Sequence, residues 1–197
     1  MSNFSFLQTK SEYTMFAPAT IEAERVYAAS PAMCAVGCRK ALELAVKWVY
    51  AADSTMQMPY KDNLQSLLHE PSFRFAVDRV TWGKLPFIVK LGNLAVHTER
   101  AVQPGDALLS LRGLFAFIQW VDYCYGKNYE DRRFDEAKIP TERVVVDTKK
   151  IKEQESLLGE KDAEIEALRK EIEAMSAQLT AAKEQHQQER SFTPEDI

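Results

Sequence analysis

Eight consecutive residues, Lys90-Leu91-Gly92-Asn93-Leu94-Ala95-Val96-His97, hold the grouping of side chains in this chain whose types and spacing best fit a chemical task. On a helix turning about 100° per residue, Asn93 lies about 300° and His97 about 340° round from Lys90, so the three share a face. A cation, an amide and an imidazole on one face can hold a phosphate, and the imidazole can act as acid or base in RNA cleavage. The plainer reading is that Asn93 and His97 are buried hydrogen-bonders locking this helix against its neighbour. Single polar residues in apolar runs usually do that.

Other chemistries find no foothold. There is no glycine-rich phosphate loop, GxGxxG, CxxC pair, HExxH or nucleophile elbow, and seven glycines leave little scope for a backbone phosphate cradle. No basic run tracks a nucleic-acid backbone, and Arg132-Arg133 reads as surface. The three cysteines, Cys34, Cys38 and Cys124, are an odd and low count, as expected of buried thiols in a reducing, cytoplasmic compartment. Cys34 and Cys38 sit four apart on one helix face, but no second ligand pair follows, so packing rather than metal is expected. The region after Met1 has no long apolar run or cleavage site for export. Residues 107–125 are the most apolar stretch, yet Arg112, Gln119 and Asp122 interrupt it, which fits a buried helix and not a membrane span.

The elements that must position these residues are helical. Seven of the eight prolines lie in the first 140 residues, mostly between apolar-periodic segments. A first helix is expected over residues 11–29, bent or split by Pro18. Ser30-Pro31 then supplies an N-cap and a first-turn proline for a second helix to about residue 52. Cys34, Cys38, Ala41, Leu42, Ala45 and Val49 form its apolar face. Asp62 is expected to cap a short helix through Leu64, Leu67 and Leu68, ended by His69-Glu70-Pro71. A short turn or helix follows over residues 72–80, then a helix over 86–100. Pro104-Gly105-Asp106 is read as a break before the long helix of residues 107–125. The expected class is all-α: a helical bundle over residues 1–140 followed by a long C-terminal coiled-coil helix.

The composition changes sharply after that bundle. Of 20 aromatic residues, 19 precede residue 141, and net charge falls from +1 over residues 1–140 to −5 over 141–197. Such a step separates a packed domain from a segment that builds no core alone. Val144, Ile151, Leu158, Ile165, Ile172 and Leu179 recur every seven residues, with Leu168, Met175 and Ala182 three later. Residues 141–190 therefore read as a charged linker and coiled coil, pairing within the chain or with a second copy. Residues 191–197 carry Thr193-Pro194 and Asp196, a helix-start signal without its helix, expected to open a further region.

The GNxAVH block at residues 92–97, preceded by a basic residue, resembles the signature of the helical domain at the N-terminus of type I restriction enzyme R subunits. That domain is related to the HEPN superfamily. Arg39-Lys40-Ala41-Leu42-Glu43-Leu44 resembles the family's R-x-x-L-E helix, and the resemblance spans essentially the whole chain. It implies that Arg39 and Glu43 neighbour Asn93 and His97, giving a candidate polar site of Lys90, Asn93, His97, Arg39 and Glu43. Active HEPN ribonucleases carry an arginine where Gly92 stands, so this departure argues against RNA cleavage. The resemblance implies a non-catalytic interaction or regulatory domain of a larger enzyme. That parent translocates and cleaves DNA using ATP and Mg2+, with modification and specificity subunits as partners and contact with DNA through its other parts. No cofactor is expected in this chain itself. A HEPN-like RNA- or nucleotide-binding domain, or a helical module of another bacterial helicase, is the alternative.

Overall fold

A computed structural model describes residues 2–97 and 101–141, and of His97 the backbone only. The described residues are helical and contain no strand, as an all-α class requires. The heptads from Val144 and the helix-start signal at residues 191–197 lie outside them. Seven α-helices follow in order: α1 Ala17–Arg25, α2 Pro31–Ala52, α3 Leu64–His69, α4 Pro71–Ala76, α5 Arg79–Trp82, α6 Leu85–His97 and α7 Pro104–Tyr125. Short 3-10 turns occur at Ser5–Thr9, Ser11–Tyr13 and Glu136–Lys138.

The hub is α2. Ser30 Oγ accepts from the Met33 backbone N–H and Pro31 occupies the first turn, so the helix begins where its cap places it. Its buried residues include Cys34, Cys38, Ala41, Leu42, Ala45 and Val49, the expected stripe, widened by Met33, Ala35, Val36, Val46 and Tyr50. Helices α1, α6 and α7 all pack on α2, and α6 also packs on α7. Each fully buried Leu, Ile or Val in that centre contributes about 1.5–3 kcal/mol relative to exposure.

Close approach at the crossings depends on missing side chains. A Cβ on Gly37 would lie 3.0 Å from Ala23 Cβ and 3.1 Å from its Cα, which sets the α1–α2 contact. A Cβ on Gly92 would lie 2.5 Å from Arg39 Cβ, closer than real side chains come, so α6 approaches α2 there through a bare backbone.

Four local expectations need correction. Pro18 neither bends nor splits a helix over residues 11–29; it sits in the first turn of α1, and residues before it form 3-10 turns. Pro104 likewise starts α7 instead of breaking the chain before it, because the first turn needs no N–H from it. Asn63, not Asp62, caps α3, its side chain accepting from the Ser66 backbone N–H at 2.9 Å. Residues 72–80 fall into two short helices, α4 and α5, the second capped by Asp78, whose Oδ1 accepts from Val80 and Thr81.

Residues 2–16 contribute side chains to the core. Phe4, Leu7, Tyr13 and Phe16 are buried, and Phe4 meets Phe115 of α7 edge-on at a ring separation of 5.6 Å. The fully buried Glu24 carboxylate of α1 accepts from the Asn3 backbone N–H at 3.0 Å, from Asn3 Nδ2 at 2.6 Å and from the Phe4 N–H at 3.4 Å. Asn3 in turn exchanges two bonds with Asp135: Nδ2 donates to the Asp135 carbonyl at 2.9 Å, and the Asp135 N–H donates to Asn3 Oδ1 at 2.8 Å. These donors spread the charge of a carboxylate that has no ion-pair partner among the described residues, which makes its burial tolerable.

Among the described residues no helix is long and apolar enough to cross a membrane.

Candidate functional site

The segment singled out by residue types, 90–97 on α6, and the segment 39–44 on α2 that the resemblance adds lie on helices that pack together. Their meeting point is Gly92. Besides Arg39 Cβ, a Cβ there would meet Arg39 Cδ at 2.9 Å and the Ala35 carbonyl oxygen at 3.2 Å, so the Arg39 stem lies flat across α6. The guanidinium-bearing side chain is half-buried, and its Nε is buried with no hydrogen-bond partner. Glu43, one turn further along α2, is half-buried and its Oε1 accepts from Lys47 Nζ at 2.8 Å.

Lys90 and Asn93 are not drawn into that contact. Both are exposed. Asn93 lies about 100° and Lys90 about 200° round the helix from Gly92, so the residues flanking the contact point away from it. The expectation that Asn93 is a buried hydrogen-bonder is therefore wrong. The lock between α6 and its neighbour is a steric fit, bare backbone against an arginine stem, and needs no polar bond. His97 is the last residue of α6. Among the candidates whose side chains are described, Arg39 is thus seated at the helix crossing.

The cysteine pair is packed in the interior. Cys34 and Cys38 are fully buried, and burial, with a hydrogen bond to Cys34 second, pushes the Cys38 thiol well up from its ordinary value. A raised thiol value disfavours the nucleophilic thiolate at Cys38. Among the described residues no group of three or more His, Cys, Asp and Glu could hold a metal ion.

The strongest polar cluster was missed by residue-type reasoning. Asp122, fully buried on α7, takes the Lys10 ammonium in an ion pair, the Tyr13 hydroxyl at 3.0 Å and Arg132 Nη1 at 3.3 Å. Lys10 also donates to the Asn128 carbonyl at 2.9 Å. Burial first, then the bond to Asp122, pushes the Tyr13 phenol far above its usual range, so it stays a donor. The cluster ties the N-terminal segment and residues 128–132 to α7. Its signal in the sequence was a lone acid near the end of an otherwise apolar helix, a residue that must find cations or remain uncharged.

Beside this cluster lies an open cavity of about 800 Å3 between the N-terminal turn, α7 and residues 131–138. Its arginines are largely committed. Arg112 pairs with Glu136 and lies over the Phe134 ring, while Arg132 pairs with Asp122 and Glu130 and lies 4.2 Å from the Phe6 ring centre.

With this geometry in place, comparison of the chain with protein-family models, with curated proteins and with solved structures finds no match.

Proposed function

We propose that this chain is a non-catalytic interaction and regulatory module, placed at the N-terminus of the R subunit of a type I restriction–modification enzyme. ATP-driven translocation and Mg2+-dependent cleavage of DNA belong to the rest of that parent, and the modification and specificity subunits are the partners it would meet. The segment from Val144 serves as a coiled-coil spacer toward the catalytic part.

One observation carries the reading. The two segments that resemble the R-subunit domain pack on each other, and their contact is built on Gly92. The position where active HEPN relatives hold an arginine has no room here even for a methyl group, because Arg39 Cβ would lie 2.5 Å away. A scaffold of this shape favours presenting surfaces over cutting RNA. The exposed Lys90 and Asn93, less than one turn apart on α6, favour the second reading, a HEPN-like domain binding RNA or a nucleotide.

Reading the gene past the Ile197 codon tests the proposal. A nuclease motif and a GxxxxGK[ST] loop are expected downstream, and their absence removes the R-subunit reading. The purified chain is expected neither to hydrolyse ATP nor to cut plasmid with magnesium. Cleavage abolished by a point mutation within these residues would overturn the non-catalytic assignment.

A further inference from the structure

The open cavity of about 800 Å3 beside the Asp122 cluster is walled on one side by residues 131–138, a segment with no α-helix, yet that wall is fixed at several points. Gln119 Nε2 donates to the Arg132 carbonyl at 2.8 Å, Arg132 pairs with Asp122, and Asn3 exchanges its two bonds with Asp135. The phenylalanines of the lining are held as well. Phe134 meets Phe115 edge-on at 5.5 Å and lies beside Arg112, and Phe6 lies under Arg132. A wall that is ordered before a ligand arrives lowers the entropic cost of binding one.

The charges of the lining are unevenly used. Arg112 and Glu136 neutralise each other, Arg132 is taken by Asp122 and Glu130, and Asp135 accepts from the Ala137 N–H at 3.0 Å. Arg133 and Lys138 also line the cavity, are exposed, and have no carboxylate partner among the described residues. The rim therefore keeps positive charge to spare above an aromatic lining. Arginine and aromatic rings together are the composition enriched where proteins meet.

The shape narrows the choice of ligand. The volume lies in the range of small-molecule pockets, but those enclose about 70–90% of their ligand, and this cavity is open. An open cleft suits an extended segment whose ends run out of it. A nucleic-acid strand would set its phosphates against Asp131, Asp135 and Glu136, which line the same cleft. A peptide can instead use such carboxylates as acceptors for its backbone N–H groups.

We infer that this cleft docks an acidic peptide segment of a partner protein. A large apolar side chain of that segment enters among Phe6, Phe115 and Phe134, and flanking carboxylates pair with Arg133 and Lys138. The inference rests on the interaction role proposed above and names the surface that performs it. It does not depend on the parent being a restriction enzyme.

Selection of short random peptides on the immobilised full chain tests the site, with the strongest binder then titrated into nitrogen-15-labelled full chain. Selected peptides are expected to carry Asp or Glu on both sides of a Phe, Trp or Leu, and to shift the amide signals of residues 131–138 and the N-terminal turn. Arg133→Glu combined with Lys138→Glu should weaken binding about tenfold or more. Arg79→Glu, an exposed cation on α5 outside the cleft, should leave it unchanged. Failure to select any peptide, binders without acidic residues, shifts confined to other surfaces, or full affinity in the double variant each overturn the inference. So do signals of residues 131–138 that move with protein concentration alone, which would seat a second copy there, and tighter binding of a single-stranded oligonucleotide at the same residues. If the double variant fails to fold, the wild-type amide map and the peptide sequences decide. A failed selection removes this docking site and leaves the gene-sequence test of the parent untouched.

Discussion

Replacing Gly92 with alanine should destabilise the bundle, although it improves the intrinsic helix propensity of α6. The new Cβ would fall 2.5 Å from Arg39 Cβ, 2.9 Å from Arg39 Cδ and 3.2 Å from the Ala35 carbonyl oxygen. The Cδ can swing away. Arg39 Cβ and the carbonyl cannot, because both are fixed to the α2 backbone, so the two helices must part. Overpacking of this kind costs about 1–3 kcal/mol, and contacts this short belong near the upper end. Exchanging glycine for alanine inside a helix returns about 0.5–1 kcal/mol. The net is a loss of about 1–2 kcal/mol, read as a fall of roughly 0.5–1 M in the urea midpoint with an unchanged slope. Gly105→Ala is the matched control. Nothing lies within 4 Å of its Cβ, so it should be neutral or slightly stabilising. Adding Arg39→Ala to Gly92→Ala should not rescue stability, since alanine retains the offending Cβ. A Gly92→Ala protein as stable as the wild type would refute the close-contact argument, and rescue by Arg39→Ala would move the clash to the outer part of the arginine.

Three further outcomes follow from the buried polar groups. Asp122→Ala leaves the nearly buried Lys10 ammonium without its partner and should cost about 3–5 kcal/mol in urea unfolding; a loss below 1 kcal/mol would show that water replaces the carboxylate. Glu24→Gln turns an amide N–H toward either the Asn3 donors or the Phe4 N–H and should cost about 1.5–3 kcal/mol, whereas no change in the urea midpoint would mean those bonds add nothing. The Tyr50 phenol donates to the Leu67 carbonyl and is pushed up to about 12 by burial, with the nearby Glu70 charge second. A group raised on folding stabilises fully below its unfolded value near 10 and loses that contribution as pH climbs toward 12. Stability should therefore fall across that window less steeply in Tyr50→Phe than in the wild type, and identical slopes would contradict the shift.

Much of the helical order was legible because its punctuation is local. Ser30-Pro31 fixes the start of α2 through one hydroxyl and one ring, and the apolar spacing from Cys34 to Val49 fixes its buried face. Pro18 and Pro104 were misread because a proline at a helix start and a proline that breaks one look alike without knowing which residues follow in register. The candidate site was half legible. The motif pairing put Arg39 beside α6, but Asn93 was read as buried because polarity among apolar neighbours signals a constraint without saying which way the side chain faces. Glu24 and Asp122 could be seen as acids on helices; the Asn3 donors to the one lie 21 residues away and the Lys10 and Tyr13 donors to the other 112 and 109, and no local pattern carries that information.

The Asn3 clasp has a consequence for how the chain is made. Its first half, Asn3 on Glu24, spans 21 positions and can close soon after those residues are made. Its second half, Asn3 on Asp135, spans 132 positions and must wait for nearly the whole bundle to be translated. At ribosomal rates that delay is on the order of ten seconds. Throughout it, Phe4 lacks the Phe115 ring it finally packs on. Until the clasp closes, the Phe4 ring is open to non-native apolar contacts.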